Sequence, residues 1–323
     1  MSTIRNAGLA LAMLAAVSPV CAQQYPNRPV RIIVPYEPGG TTDVLARFIA
    51  QEMGKILGQQ MVVDNRPGAS GTIGTHLATK ATPDGHTLLL TSLSPLVINI
   101  HVSGGKLPYD PVKDLAPVSL ITDVPSVIGV LATSPLQNIN ALVAQAKSNP
   151  GKITYGSSGS GGINHLSMEL FRQAAGITLQ HIPCKGAGPA VIAVLGKQVD
   201  LVSAAPPALM THIRGNRIRP LVGTGLTRSP ALPDVPTVAE TISPNFKATA
   251  WYCFMAPPGT PRAIVNRVRE AWVQASQTPV LVEKLVAEGA APESSSPEEL
   301  GKLIRADLVK WGEAVKAAGA KLD

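Results

Sequence analysis

The sequence predicts an α/β fold of two similar halves, each a mostly parallel sheet flanked by helices, on three observations. Apolar strand-like runs alternate with segments of helical period, the pattern of parallel sheets covered by helices. The unit strand, helix, strand, helix, strand occurs twice, over residues 30–92 and again over 153–205. In both copies the first strand runs into a cluster of Gly, Ser and Thr that opens a helix: Pro38-Gly39-Gly40-Thr41-Thr42-Asp43 in one, Ser157-Ser158-Gly159-Ser160-Gly161-Gly162 in the other. The first N–H groups of a helix lack intrahelical acceptors and sit at the positive end of its dipole. Each cluster is therefore a candidate anion cradle, and two cradles predict a cleft that grips one small anion from both sides.

Residues 30–34 form the first strand. Leu45, Phe48, Ile49, Met53, Ile56 and Leu57 then recur at helical spacing, and Gly58 ends that helix. A strand over 61–63 leads through the turn-rich stretch 65–71 into a helix reaching Leu77, and Pro83-Asp84-Gly85 turns the chain into a third strand ending at Thr91 and Ser92. In the second copy, strands over 153–155, 179–182 and 199–202 enclose a helix carrying Leu166, Leu170 and Phe171 and a second one opened by residues 184–189. The β-rich segments 119–131 and 247–256 read as crossings between the halves. The remainder is helical: Thr260-Pro261 and Thr278-Pro279 each predict an N-cap followed by Pro at N1, and Ser296 to Glu299 a capping box. The stripe Leu300, Leu303, Ile304, Leu308, Trp311 and Val315 predicts a last helix packed on the first half.

Arg5, the apolar run 7–17 and Val20-Cys21-Ala22 read as an export signal, residues 1–22, cleaved after Ala22. Its removal leaves 301 of 323 residues and takes Arg5 with it, lowering the formal charge of +7 by one. That length suits two domains. No later run approaches the ~20 apolar residues of a membrane helix, so a mature chain soluble outside the cytoplasm is expected. The Lys and Arg residues are scattered and only 4% of the chain is aromatic, so no stacking surface for nucleic acid is expected. His76, His86, His101, His181 and His212 show no metal-ligand spacing, and no cofactor is expected. A serine-hydrolase elbow needs Gly-x-Ser-x-Gly, and the run from Gly156 to Gly161 misses it by one position. No loop ends in the Gly-Lys-Ser/Thr of a phosphate-binding loop.

The chain resembles the Bug (TctC) family, the extracytoplasmic solute receptors of tripartite tricarboxylate transporters. Tyr25-Pro26-x-Arg28-Pro29-Val30-x-Ile32-Ile33-Val34-Pro35-x-x-Pro38-Gly39-Gly40-x-x-Asp43, Asn65-Arg66-Pro67-Gly68-Ala69-x-Gly71 and Pro83-Asp84-Gly85 carry the likeness in the first half. Thr154-Tyr155-Gly156-Ser157-x-Gly159-x-Gly161, His165-Leu166, Lys185-Gly186-x-Gly188-Pro189-Ala190 and Trp251-Tyr252 continue it in order. The resemblance implies a two-lobed, periplasmic binding protein-like receptor, not an enzyme, that closes on a small carboxylate and delivers it to the permease subunits of such a transporter. Other readings are a sensor that presents its ligand to a membrane sensor kinase, and, from another class, a periplasmic hydrolase of small esters. A monomer is expected.

Carried over by residue, the resemblance implies first-lobe ligand contacts at Pro38, Gly39, Gly40, Thr41 and Asp43, with Tyr36 at the entrance and Ser92 at the end of the third strand. The second lobe would contribute Ser157, Gly159, Ser160, Gly161 and His165, with Lys185, Gly186 and Ala187 from the next loop. The residues themselves leave alternatives open. Asp43 is also placed to cap its helix, His165 to pack, and Lys185 to be a solvated charge. The expected first domain is discontinuous, 23–123 and 249–323, with 124–248 as the second. At the third strand end of the second lobe, Val202-Ser203-Ala204-Ala205-Pro206-Pro207 offers no acid to an ammonium group, which predicts a ligand without an amino group. Cys184 and Cys253 stand where the family usually has Tyr and Gly. As the only cysteines left after signal removal in an oxidising compartment, they suggest a disulfide.

Overall fold

The computed structural model describes residues 25–318, and the expected export signal, residues 1–22, lies outside the described residues. The first half contains β1 (Val30–Val34), α1 (Thr41–Leu57), β2 (Met61–Asn65), α2 (Thr72–Thr79), β3 (Thr87–Ser92), the single-turn α3 (Asn99–Val102) and β4 (Ala116–Pro125). The chain then enters β5 (Val127–Leu131), α4 (Ile139–Ser148), β6 (Thr154–Ser157), α5 (Ile163–Ala175), β7 (Gln180–Pro183), α6 (Ala187–Leu195), β8 (Leu201–Ala204), α7 (Pro206–Arg214), β9 (Ile218–Gly223) and α8 (Val238–Thr241). It returns through β10 (Thr249–Ala256) to α9 (Arg262–Ala275), α10 (Pro279–Ala287) and α11 (Pro297–Ala318).

The strands form two five-stranded sheets with the same plan, β2-β1-β3-β10-β4 and β7-β6-β8-β5-β9. In the first, β1 runs parallel to β2 and β3, while β10 is antiparallel to both β3 and β4. In the second, β6 runs parallel to β7 and β8, while β5 is antiparallel to both β8 and β9. Each sheet thus holds four strands of one sense and one reversed strand, and the reversed strand is the one that arrives from the other half. Thr224 ties the two crossings together: its Oγ1 accepts the Ser126 N–H at 2.8 Å and donates to the Ala248 carbonyl at 2.6 Å.

Strands with apolar residues on both faces need helices on both, and the cores show this. The first sheet packs into one cluster with Ile32, Leu89, Phe254 and Trp272 fully buried, and Leu300, Ile304, Trp311 and Val315 of the last helix join it as expected. The second sheet divides its core, with Tyr155, Phe171 and Leu201 on one face and Val202, Leu209 and Ile218 on the other. Helix starts differ in detail from the sequence reading. Ser296 does form a capping box with Glu299, but α9 is preceded by Pro261 as its N-cap, and Thr260 instead donates to the Pro257 carbonyl at 2.8 Å.

The disulfide suggested by the cysteine pair is not formed, and both thiols are free. Cys253 sits inside β10 between Thr91 and Leu120, fully buried in the first sheet. Cys184 follows β7, the edge strand of the other sheet, and its Sγ points to the Ile182 carbonyl at 3.8 Å. Burial pushes both thiols up from their ordinary range, so neither is a ready nucleophile.

Candidate functional site

Three helices that follow parallel strands begin at glycine N-caps without a side-chain cap: α1 at Gly40, α5 at Gly162 and α6 at Gly186. Their first turns meet around one cavity of about 20 Å³, lined by Gly40, Thr41 and Thr42, by Ser158, Ile163 and Asn164, by Ala187, and by Tyr36, Ser92 and Tyr252. Among the described residues no charged side chain lines it. Each helix start carries roughly half a positive charge in partial form, so their convergence makes an anion-favouring site from backbone alone. Thr41 adds a buried hydroxyl beside the Tyr252 phenol. The Tyr36 phenol, pushed up to about 12 by burial, stays neutral and is held by Ser92 Oγ at 2.8 Å. Such a volume holds about one water, so anything larger enters only as the lobes part.

The lobes touch directly around this cavity. A Cβ on Gly188 would stand 2.7 Å from the Pro38 carbonyl oxygen and 3.2 Å from the Gly40 nitrogen, and one on Gly161 would stand 2.6 Å from a Val102 methyl. Two hydrogen bonds also cross the cleft: Ser70 Oγ donates to the Ser160 carbonyl at 2.7 Å, and the Ile163 N–H donates to Ser94 Oγ at 2.9 Å. Ser70 reaches over from a strained turn, with φ of 46° at Ala69 and 51° at Ser70. The turn is secured by Asn99, whose side-chain amide donates to the Ser70 carbonyl and to Thr72 Oγ1.

The expected site residues fall into three groups. Tyr36, Gly40, Thr41, Ser92 and Ala187 line the cavity, and Gly186 caps the helix that delivers Ala187. Pro38 and Lys185 are exposed at the outside, and neither lines the cavity. The rest support the loops. Asp43 Oδ2 accepts the Gly39 N–H at 2.9 Å and Arg47 Nε at 3.0 Å, while Oδ1 accepts Asn65 Nδ2 at 3.1 Å; its carboxylate is occupied in holding the first loop.

In the second loop the glycine amides that the cradle argument pointed at the ligand are likewise spoken for. The Gly161 N–H donates to His165 Nδ1 at 3.0 Å, and the Gly159 N–H donates to Ser157 Oγ at 3.3 Å. Ser157 Oγ lies 2.7 Å from His181 Nε2, and His165 and His181 stack at 4.0 Å beside Tyr155. A Ser–His contact of this kind invites a hydrolase reading. Ser157, however, is fully buried behind the loop and does not line the cavity, so it cannot reach a substrate there.

Sequence reasoning did not single out Ile163, Asn164 or Tyr252, and held Thr42 and Ser158 only as members of the two clusters. Three of these are N1 or N2 of α1 and α5, which the dipole argument itself would have selected once the helix start was placed after the last glycine. Asn164 also binds the loop to the crossing: Ser126 Oγ donates to its Oδ1 at 2.8 Å, and its Nδ2 donates to Ser158 Oγ at 3.0 Å.

Comparison with known proteins agrees with this architecture. Residues 45–320 match the model of the TctC family, described as the tripartite tricarboxylate transporter family receptor. BugT of Bordetella pertussis is 39% identical over 316 residues, covering 98% of this chain and 97% of BugT. A protein of R. palustris solved with adipate superposes with a TM-score of 0.89 at 32% identity, covering 93% of this chain and all of that one. MatC from Rhodopseudomonas palustris, with bound malate, superposes at 0.84 and 30% identity, covering 90% of this chain and all of MatC.

Proposed function

The chain belongs to the TctC family of tripartite tricarboxylate transporter receptors, and from that premise we propose that it captures a small carboxylate in the periplasm and delivers it to the permease subunits of such a transporter. It is a solute-binding receptor and not an enzyme. The observation that carries the carboxylate reading is the meeting of three uncapped helix starts on a cavity lined by no charged side chain. A carboxylate there takes N–H groups from both lobes, so only the closed form satisfies it and the ligand shifts the population toward closure. On this reading the first lobe is 23–123 with 249–323, and the second is 124–248. Gly40, Thr41, Ser92 and Ala187 then face the ligand, while Asp43, Ser157, Gly159, Gly161 and His165 position the loops that do.

The class of carboxylate follows from what the lining lacks. With no Asp or Glu on the cavity, an ammonium group would lose its hydration uncompensated, which favours carboxylates without an amino group over amino acids. The relatives solved with adipate and malate make dicarboxylates the first compounds to try. The test is a thermal-shift screen of adipate, malate, monocarboxylates and amino acids against the mature protein. A ligand at 100 times its Kd stabilises by about 2.7 kcal/mol. Stabilisation by glutamate or aspartate with none by simple carboxylates would overturn the reading, and growth of a deletion strain on the identified compound separates uptake from sensing.

A further inference from the structure

We propose that His165 is a proton-sensitive positioning residue, and that a proton on its Nδ1 releases the Gly161 amide, loosens the second cleft loop and weakens ligand binding. The inference rests on the cleft described under Proposed function. A backbone N–H only donates, so the Gly161 bond to His165 Nδ1 at 3.0 Å exists only while that nitrogen keeps its lone pair. The neutral ring then carries its hydrogen on Nε2, 3.9 Å from Glu169 Oε1. Protonation at Nδ1 turns the acceptor into a second donor facing the Gly161 N–H. It also lays a cation on the face of the His181 ring, 4.0 Å away at an interplanar angle of 12°.

His181 reaches the same loop from its other end, because its Nε2 meets the Ser157 hydroxyl that receives the Gly159 N–H. Two glycine amides of one loop therefore hang on two stacked imidazoles, the side chains whose charge changes most readily near neutral pH. The loop has little freedom to absorb the loss. Gly161 holds φ at 72° with its α-carbon face against Val102 of the other lobe, so moving it disturbs closure.

Several charged and polar groups stand beside the rings. From α5 come Glu169 and Arg172, whose ion pair measures 2.6 Å; β6 supplies Tyr155, donating its hydroxyl to Glu169 at 2.8 Å, together with Ser157. From β7 comes His181 itself, and Val102 of the first lobe, which meets Gly161, is uncharged. Burial pushes the Glu169 carboxyl up, but Arg172 and Tyr155 outweigh it and hold the group below the usual range. It stays ionised while an imidazole titrates, so its charge does not supply the pH response.

The direct test needs no ligand. In the ¹⁵N-labelled mature protein, two-bond ring correlations should show His165 as the Nε2–H tautomer at pH 8, and on acidification the Gly161 amide shift should move with the same midpoint as the ring. A Gly161 amide that stays still while His165 titrates, or an Nδ1–H tautomer at pH 8, overturns the inference. Binding is then measured by calorimetry with adipate as the probe. Affinity should be highest above the His165 midpoint and fall about tenfold per pH unit below it. His165→Leu, which removes the acceptor, should lose binding, and His165→Asn, whose Oδ1 lies near the Nδ1 position, should rescue it with a flat pH profile. An unchanged profile in His165→Asn also overturns the inference. Adipate failing to bind at every pH counts against the carboxylate reading with this probe and leaves the ring result to decide the coupling.

Discussion

The loop after β1 and the loop after β6 hold equivalent places in sheets of the same plan, yet they are anchored by different chemistry. In the first, one carboxylate, Asp43, gathers the Gly39 N–H, Arg47 and Asn65. In the second, two imidazoles hold the Gly161 N–H directly and the Gly159 N–H through a hydroxyl. One jaw of the cleft is thus held by a carboxylate and the other by a pair of imidazoles, which on the inference above gives the second loop its response to pH. Backbone geometry alone does not distinguish the two loops, since both end in an uncapped glycine start.

The largest expected effect comes from keeping the two loops apart. Gly188 has no need of a left-handed backbone, but a side chain there collides with the Pro38 to Gly40 backbone across the cleft. Gly188→Val should leave thermal stability within about 1 kcal/mol of wild type while reducing affinity for any stabilising carboxylate by about 100-fold or more, as calorimetry would show. Normal binding would mean that the loops do not meet in the bound form.

Breaking the carboxylate anchor should cost stability as well. Asp43 is almost fully buried, and Asp43→Ala removes the acceptor of the Gly39 N–H, of Arg47 and of one of the two bonds that Asn65 Nδ2 donates. A loss of about 2–3 kcal/mol in urea unfolding is expected, with little change in the pH dependence of binding, because the imidazole anchor is untouched.

On the other side, Glu169→Gln sharpens the comparison through acid stability. The Glu169 group is held below its unfolded value, so its contribution is present above the ordinary carboxylate range and is lost as pH falls through the lowered folded value. The variant should be about 1–2 kcal/mol less stable at pH 7 and should approach wild type near pH 3, in paired melts across that range. Ser70→Ala, which deletes one exposed-edge hydrogen bond across the cleft, should have the smallest effect: about 1 kcal/mol, read as a several-fold weaker affinity through faster ligand release. A stronger effect than that of Gly188→Val would overturn this order.

Much of the fold could be read from the sequence because its determinants are local. Val30 to Val34 and Leu88 to Leu90 are apolar on both faces and announce buried parallel strands. Strand β9 was harder, since Arg219 and Pro220 interrupt its apolar run and Pro220 is tolerated beside a shift in register with β5. The turn Ser94–Ile98, wound as a π-helix, carries no signature in its residues, yet it supplies Ser94 and leads to Val102 at the lobe contact. At the site, the helix starts were legible and the fate of individual amides was not. His181 was judged only by metal-ligand spacing; its partnership with His165 depends on β7 lying beside β6 and is a property of the sheet. Asp43 was placed at its helix start by sequence, but the choice between ligand contact and loop anchor needed Arg47 and Asn65 in view.

The exchange of reversed strands between the sheets imposes an order of assembly. Strands β5 to β9 are contiguous in the chain, so the second sheet can close as soon as Gly223 has emerged. The first sheet cannot: β3 and β4 are joined only through β10, which begins at Thr249, after all of the second sheet has been made. Until then β3 offers an open edge, and open apolar edges pair with whatever strand is near. A chain made N-terminus first thus carries its first half unfinished through the folding of its second, and truncation ahead of Thr249 leaves a slot that no other strand among the described residues is placed to fill.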